Sequence, residues 1–272
     1  MTNQGTTGAT PNAAGWYNST VTSGFRAADG LSGFAGQNDP YTFTRSSGTA
    51  EGSAVKISSG TVNDLAGNTG ASVDSAAFKI DLSKPTNIQF EGAVSSYVFG
   101  TVPAQPSCTA DDAVSGVASC VVTGYNETAV GTHTMTATAT DRAGNTETAT
   151  RTYSVLAWTL KGFYSPVDMN GTINTVKGGS TVPLKFEVFA GSTELTSTTD
   201  AIKSFTVTKI TCESGVLIDE IELTTTGGTS LRYDTTGGQF IQNWKTPTGS
   251  ACYRVTMTTT DGSTLVALFK TR

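Results

Sequence analysis

Charge is scarce in this chain of 272 residues: Asp, Glu, Lys and Arg make up only 14%, with a formal balance of −5. Lys and Arg are nowhere clustered and the pI is about 4.9. The basic patch that draws a protein to phosphate backbones is therefore missing, which argues against a nucleic-acid partner. No apolar run approaches the roughly 20 residues of a membrane span, so no membrane insertion is expected. Met1-Thr2-Asn3-Gln4 lacks the charged and apolar regions of a signal peptide, and the chain is expected to be a piece of a longer protein. The one histidine, His133, stands in a Thr-rich run without a Ser-x-Gly elbow or a neighbouring carboxylate motif. No assembled nucleophile or acid–base constellation is present, and the expectation is a chain that is not an enzyme. Leu, Glu and Lys never gather at helical spacing, so almost no helix is expected.

What is present is turn chemistry between alternating strands. Asp64-Leu65-Ala66-Gly67-Asn68-Thr69 recurs as Asp141-Arg142-Ala143-Gly144-Asn145-Thr146, each copy flanked by Thr-, Val- or Ala-rich runs of period two. Such a stretch reads as a hairpin turn: the Asp accepts from amides two residues on, and Gly and Asn tolerate the positive φ of a reversing strand. Upstream of each turn lies a second shared element, Asp29-Gly30-Leu31-Ser32-Gly33-Phe34 and Asp112-Ala113-Val114-Ser115-Gly116-Val117. Two elements in the same order mean a duplicated module. The expected fold is all-β, with two alternating sheets packed as a sandwich in each module.

Together with Gly15-Trp16-Tyr17-Asn18 and the exit Lys79-Ile80-Asp81-Leu82-Ser83-Lys84-Pro85-Thr86, these motifs resemble the tandem Ig-like modules of large bacterial cell-surface and secreted proteins. The remainder resembles the C-terminal domain known for a Pro-x-Lys-Phe (PxKF) signature, here Pro183-Leu184-Lys185-Phe186. The resemblance implies tandem Ig-like β-sandwiches, three domains in a row: residues 1–13 a flexible leader or linker, 14–84 and 85–155 two Ig-like modules, and 156–272 a PxKF-like β-domain. It also implies an extracellular, cell-surface or secreted location. The function expected is a non-catalytic structural and adhesive segment, a spacer that contacts surfaces or pairs strands homotypically into filaments. The competing reading is an accessory carbohydrate-binding region of a secreted hydrolase, with a polysaccharide or cell-surface ligand. A sandwich fold by itself does not choose between them.

Expected core residues include Trp16, Val21, Phe25, Ile57 and Ile80 in the first module. Val121, Val122, Met135, Ala137 and Tyr153 are expected in the second, and Val182, Leu184, Phe186 and Val188 share one face of a later strand. The four cysteines fall in two local pairs, Cys108 with Cys120 and Cys212 with Cys252, which suggests disulfides and an oxidising compartment. The first bridge is expected to pin the Asp111-Asp112 loop at the neck of a hairpin. Four buried free thiols are the alternative.

No cofactor is required by any motif, but calcium has candidate ligands. Asp29, Asp64, Asp81, Asp112 and Asp141, with Asp111 and neighbouring carbonyls, could supply the oxygens a hard cation takes, although no stretch follows the twelve-residue calcium-loop pattern. Turn capping accounts for the same positions. Asp81, beside the linker, is the candidate to watch. Among the aromatics, Tyr164 and Tyr233 are the candidates for an exposed glycan-binding pair. Lys185, the lysine that an isopeptide bond would use, points away from the apolar face by alternation. Asn18, Asn126 and Asn170 open formal glycosylation sequons.

Overall fold

The computed structural model describes residues 1–213, 217–221 and 230–272. Nearly every described element is a strand, and the one helix among them is the single turn Thr198–Ala201. The chain divides into two compact units: residues 1–93, 105–125 and 134–151 in the first, and 94–104, 126–133 and 152–272 in the second.

In the first unit, Thr2–Thr7, Thr22–Ala27 and Tyr41–Ser46 form one antiparallel sheet. Trp16–Tyr17, Phe78–Ile80 and Gly52–Val55 form a second, Trp16–Tyr17 running parallel to Phe78–Ile80. Between them lie Tyr17, Val21, Phe25, Ile57 and Ile80, with Phe43 and Phe78 packed against the cluster. Phe25 stacks on Phe43 at 5.8 Å, and Tyr17 meets Phe78 edge-on at 5.9 Å. The alternation legible in the sequence is what lets each sheet turn one apolar face inward. Residues 2–7 depart from the expected leader. They pair with Thr22–Ala27, because the open edge of that strand offers unpaired amides and carbonyls to a Thr-rich extended segment.

The same unit contains Thr86–Phe90 paired with Cys108–Asp111, and Val117–Thr123 paired antiparallel with the end of Gly131–Asp141. Cys108 and Cys120 are bonded, as expected, but not across a hairpin neck. Their strands pair with different partners, so the bridge crosses between two sheets, and the Asp112–Gly116 loop is an arch that changes sheet. Met135, Ala137 and Ala139 are wholly buried, while Val122 faces inward and Val121 is 54% exposed. A two-Val run cannot put both side chains on one face, and alternation selects the second.

In the second unit, Ser96–Val98 runs parallel to Ser154–Leu156, and the Tyr153 hydroxyl bridges the Asn126 amide at 2.6 Å and its carbonyl at 2.9 Å. Two five-stranded sheets follow. One runs Thr159–Gly162, Thr181–Ala190, Gln239–Lys245, Arg232–Asp234, with Thr193–Glu194 beside Thr181–Ala190. The other runs Ile173–Val176, Thr264–Thr271, Cys252–Thr259, Ile202–Ile210, Leu217–Ile221. Their shared core holds Leu184, Phe186, Val188, Phe240, Trp244, Val255, Met257 and Phe269. Phe186 and Phe240 stack at 5.2 Å, opposite each other in register. Cys212 and Cys252 are bonded beside the pairing of Ile210 with Cys252.

Candidate metal centre

Both copies of the turn motif fold as one local structure. The Asp64 carboxylate accepts from the Asn68 amide and from its side-chain nitrogen, both at 2.7 Å. The Asp141 carboxylate accepts from the amides of Gly144 and Asn145 at 2.6 and 2.8 Å, and from Asn145 Nδ2 at 2.8 Å. The acceptors reach amides three and four residues on, further than the two expected. Gly67 and Gly144 sit at φ +88° and +96°, where a Cβ would be strained.

The upstream arches are also alike. Asp29 accepts from the amides of Ser32 and Gly33 at 2.9 and 2.7 Å, and Asp112 from those of Ser115 and Gly116 at 3.0 and 2.7 Å. The serine hydroxyls differ. Ser32 Oγ donates to Asp29 at 2.7 Å. Ser115 Oγ, in a residue 5% exposed, has no hydrogen-bond partner.

A third carboxylate explains why the second copy is different. Asp81 follows the strand Phe78–Ile80 and is completely buried. Its Oδ1 accepts from the Ser83 amide at 3.0 Å and its Oδ2 from the Ser115 amide at 3.1 Å, while its carbonyl accepts from Asn145 Nδ2 at 3.0 Å. One oxygen from each of Asp81, Asp112 and Asp141 lies within 4.8 Å of the others. Asp141 is 2% exposed and Asp112 half-buried. No ion pair of the described residues reaches the three acids; those present join Lys84 to Glu147 and Lys161 to Glu187. Burial raises the Asp81 pKa, and the charges of Asp112 and Asp141 push the same way, against the hydrogen bonds that the carboxylate accepts. Two ionised carboxylates at such a separation repel by about 3 kcal/mol at an effective dielectric of about 20.

The segment carrying Asp81 is tied down from several sides. Glu51 Oε1 accepts from the Leu82 amide at 2.5 Å and from Ser83 Oγ at 3.0 Å, and Lys84 meets Glu147 at 3.1 Å. Asn12 Nδ2 donates to the Arg142 carbonyl at 2.8 Å. Sequence reading did not single out Ser115, Glu51 or Asn12. The serine's repeat position was visible, but nothing local separates it from Ser32.

The remaining candidates are placed as follows. Asp29 and Asp64 stay with their own loops, outside the triad. Ser32 first, with the Gly33 amide, lowers the Asp29 pKa, and the Asn68 side chain does the same for Asp64. Asp111 accepts from Asn87 Nδ2 at 2.8 Å, away from the cluster. Tyr164 and Tyr233 are half-buried, not an open pair, and their hydroxyls donate to Glu187 at 2.5 Å and Glu194 at 2.8 Å. Burial, then Glu187, pushes the Tyr164 pKa up to about 12. His133 Nε2 lies 2.7 Å from the Ala129 carbonyl, its ring tilted against Tyr153. In the second unit a cleft of about 480 Å³ is lined by Phe99, Trp158, Glu194, Leu195 and Asp200 among others. The Trp158 indole is 9% exposed and spends its N–H on the Phe99 carbonyl, so it offers no open platform.

No protein-family model matches the chain, and no curated protein matches it. Among solved structures, that of a 1.5-MDa bacterial ice-binding adhesin, described for host cell surface retention, is 15% identical over 95% of this chain and 90% of its own, with a TM-score of 0.26. Extracellular domains 3–5 of Drosophila OTK are 12% identical over 80% of this chain and 70% of their own, TM-score 0.25. The Bacteroides ovatus mixed-linkage glucan utilization protein SGBP-B, in complex with a mixed-linkage heptasaccharide, is 12% identical over 56% of this chain and 36% of its own, TM-score 0.17. TM-scores this low carry no functional argument, and the β-sandwich assignment rests on the strand pairings of the chain itself.

Proposed function

We propose that the chain is a non-catalytic, extracellular structural and adhesive segment of a bacterial cell-surface or secreted protein. The observation that carries this reading is the fastened exit segment Asp81–Lys84. A buried carboxylate, Glu51 and the Lys84–Glu147 pair hold it against the Asp112 and Asp141 loops, where a flexible linker would leave it in water. Such a joint suits a spacer that must keep its direction. The two disulfides fit an oxidising compartment. Open strand edges, Thr2–Thr7 among them, provide surfaces for homotypic pairing. On this reading residues 156–272 act as a PxKF-like domain following two Ig-like modules.

The test is backbone ¹⁵N relaxation over residues 81–86. Order parameters near those of the flanking strands, about 0.85, are expected; values below about 0.6 would make the segment a free hinge and end the spacer reading. A polysaccharide panel distinguishes the alternative. Saturable binding to one glycan class would favour an accessory carbohydrate-binding region, and the enclosed Trp158 and hydrogen-bonded Tyr164 and Tyr233 lead us to expect none.

A further inference from the structure

We infer that Asp81, Asp112 and Asp141, with the Ser115 hydroxyl, form a binding site for a calcium ion. Oxygens sharing a calcium at about 2.3–2.6 Å lie at most about 5 Å apart, and the three carboxylates present one oxygen each within 4.8 Å of one another. The set contains no His or Cys, so it suits a hard cation and not zinc or copper.

Turn capping alone does not account for the cluster. It explains Asp112 and Asp141, each of which accepts the amides of its own loop. It does not explain why a wholly buried Asp81 joins them with no cation of the described residues in ion-pair reach. Nor does it explain the Ser115 hydroxyl. The Ser115 amide donates to Asp81 Oδ2 at 3.1 Å, which sets the residue against the cluster, yet its buried hydroxyl completes no hydrogen bond. The loop is able to satisfy a serine here, since Ser32 at the same position of the first copy donates to Asp29. A calcium among the three acids would offset their mutual repulsion and occupy the oxygen of Ser115. Waters would complete the six to eight ligands that the ion takes. Asp29 and Asp64, with their serine engaged and no third carboxylate grouped with theirs among the described residues, are expected to stay metal-free.

The test uses the full chain, stripped with chelator and titrated with calcium chloride by calorimetry. One ion per chain is expected, with magnesium weaker because it holds its waters and demands octahedral geometry. Asp112→Asn should weaken calcium by about tenfold or more, since site affinity follows ligand charge. Ser115→Ala should weaken it measurably, and Asp64→Asn should leave it unchanged. If Asp112→Asn does not fold, Ser115→Ala carries the test, because it breaks no hydrogen bond of the protein. No uptake of calcium, uptake indifferent to both substitutions, or uptake lost with Asp64→Asn would each overturn the assignment.

Discussion

The Asp29–Asp64 end of the first copy and the Asp112–Asp141 end of the second are built from one motif and reach different chemistry. Both use an arch and a turn whose aspartates accept nearby amides. In the first, apolar tips project into solvent, Leu31 at 98% exposure and Leu65 at 63%. In the second, the matching loops close over Asp81, and the pair of acids becomes a buried triad. The motif therefore encodes a shape. What that shape does depends on which residue the rest of the chain delivers to it.

The largest expected break in this comparison comes from replacing Cys108 and Cys120 with Ser, which should cost about 3 kcal/mol, from a closed loop of 12 residues that the first copy lacks. A loss confined to the second copy by hydrogen exchange would sharpen the contrast, and a uniform loss would blunt it. Removing the turn aspartates comes next. Asp141→Ala removes the acceptor of the Gly144 and Asn145 amides and one of the two acceptors of Asn145 Nδ2 in a partly buried site, and should cost about 2 kcal/mol. Asp64→Ala, at the surface, should cost clearly less; urea melts of the two variants measure the gap.

Acid should weaken the two loops of the first copy. The carboxyls of Asp29 and Asp64 titrate below 3.8 in the fold, so the stability they give is present above that value and is lost as pH falls through the lower folded pKa. Carboxyl carbon shifts followed by NMR would report midpoints below 3.8, and midpoints at or above it would contradict the hydrogen-bonded loops. The smallest effect is expected from Ser115→Ala in chelator, within about 0.5 kcal/mol of the parent, because no bond is lost. Ser32→Ala loses a bond to Asp29 and should be the more damaging of the two.

Much of the fold was legible because its signals are local. The Asp-x-Ala-Gly-Asn turns, the alternation of Val182, Leu184, Phe186 and Val188, and the confinement of each cysteine pair to a short stretch can all be read within a few residues. Long-range placement was not. That Asp81 meets Asp112 and Asp141 depends on a strand exit packing on loops 31 and 60 residues further along the chain. The different fates of Ser32 and Ser115 follow from that contact, so two identical residues in identical motifs carried no distinguishing mark. Pairing of residues 2–7 likewise depended on an edge left open elsewhere.

The Cys212–Cys252 bridge has a mechanical consequence. Its sequence separation is 40 residues, and at about 3.4 Å per residue the loop it closes holds roughly 135 Å of contour. A chain pulled from its ends transmits tension across the sulfur–sulfur bond, so this length cannot be paid out even if the surrounding strands yield. Oxidised, the molecule would lengthen in shorter steps under load; reduced, the same pull would release the whole reserve at once.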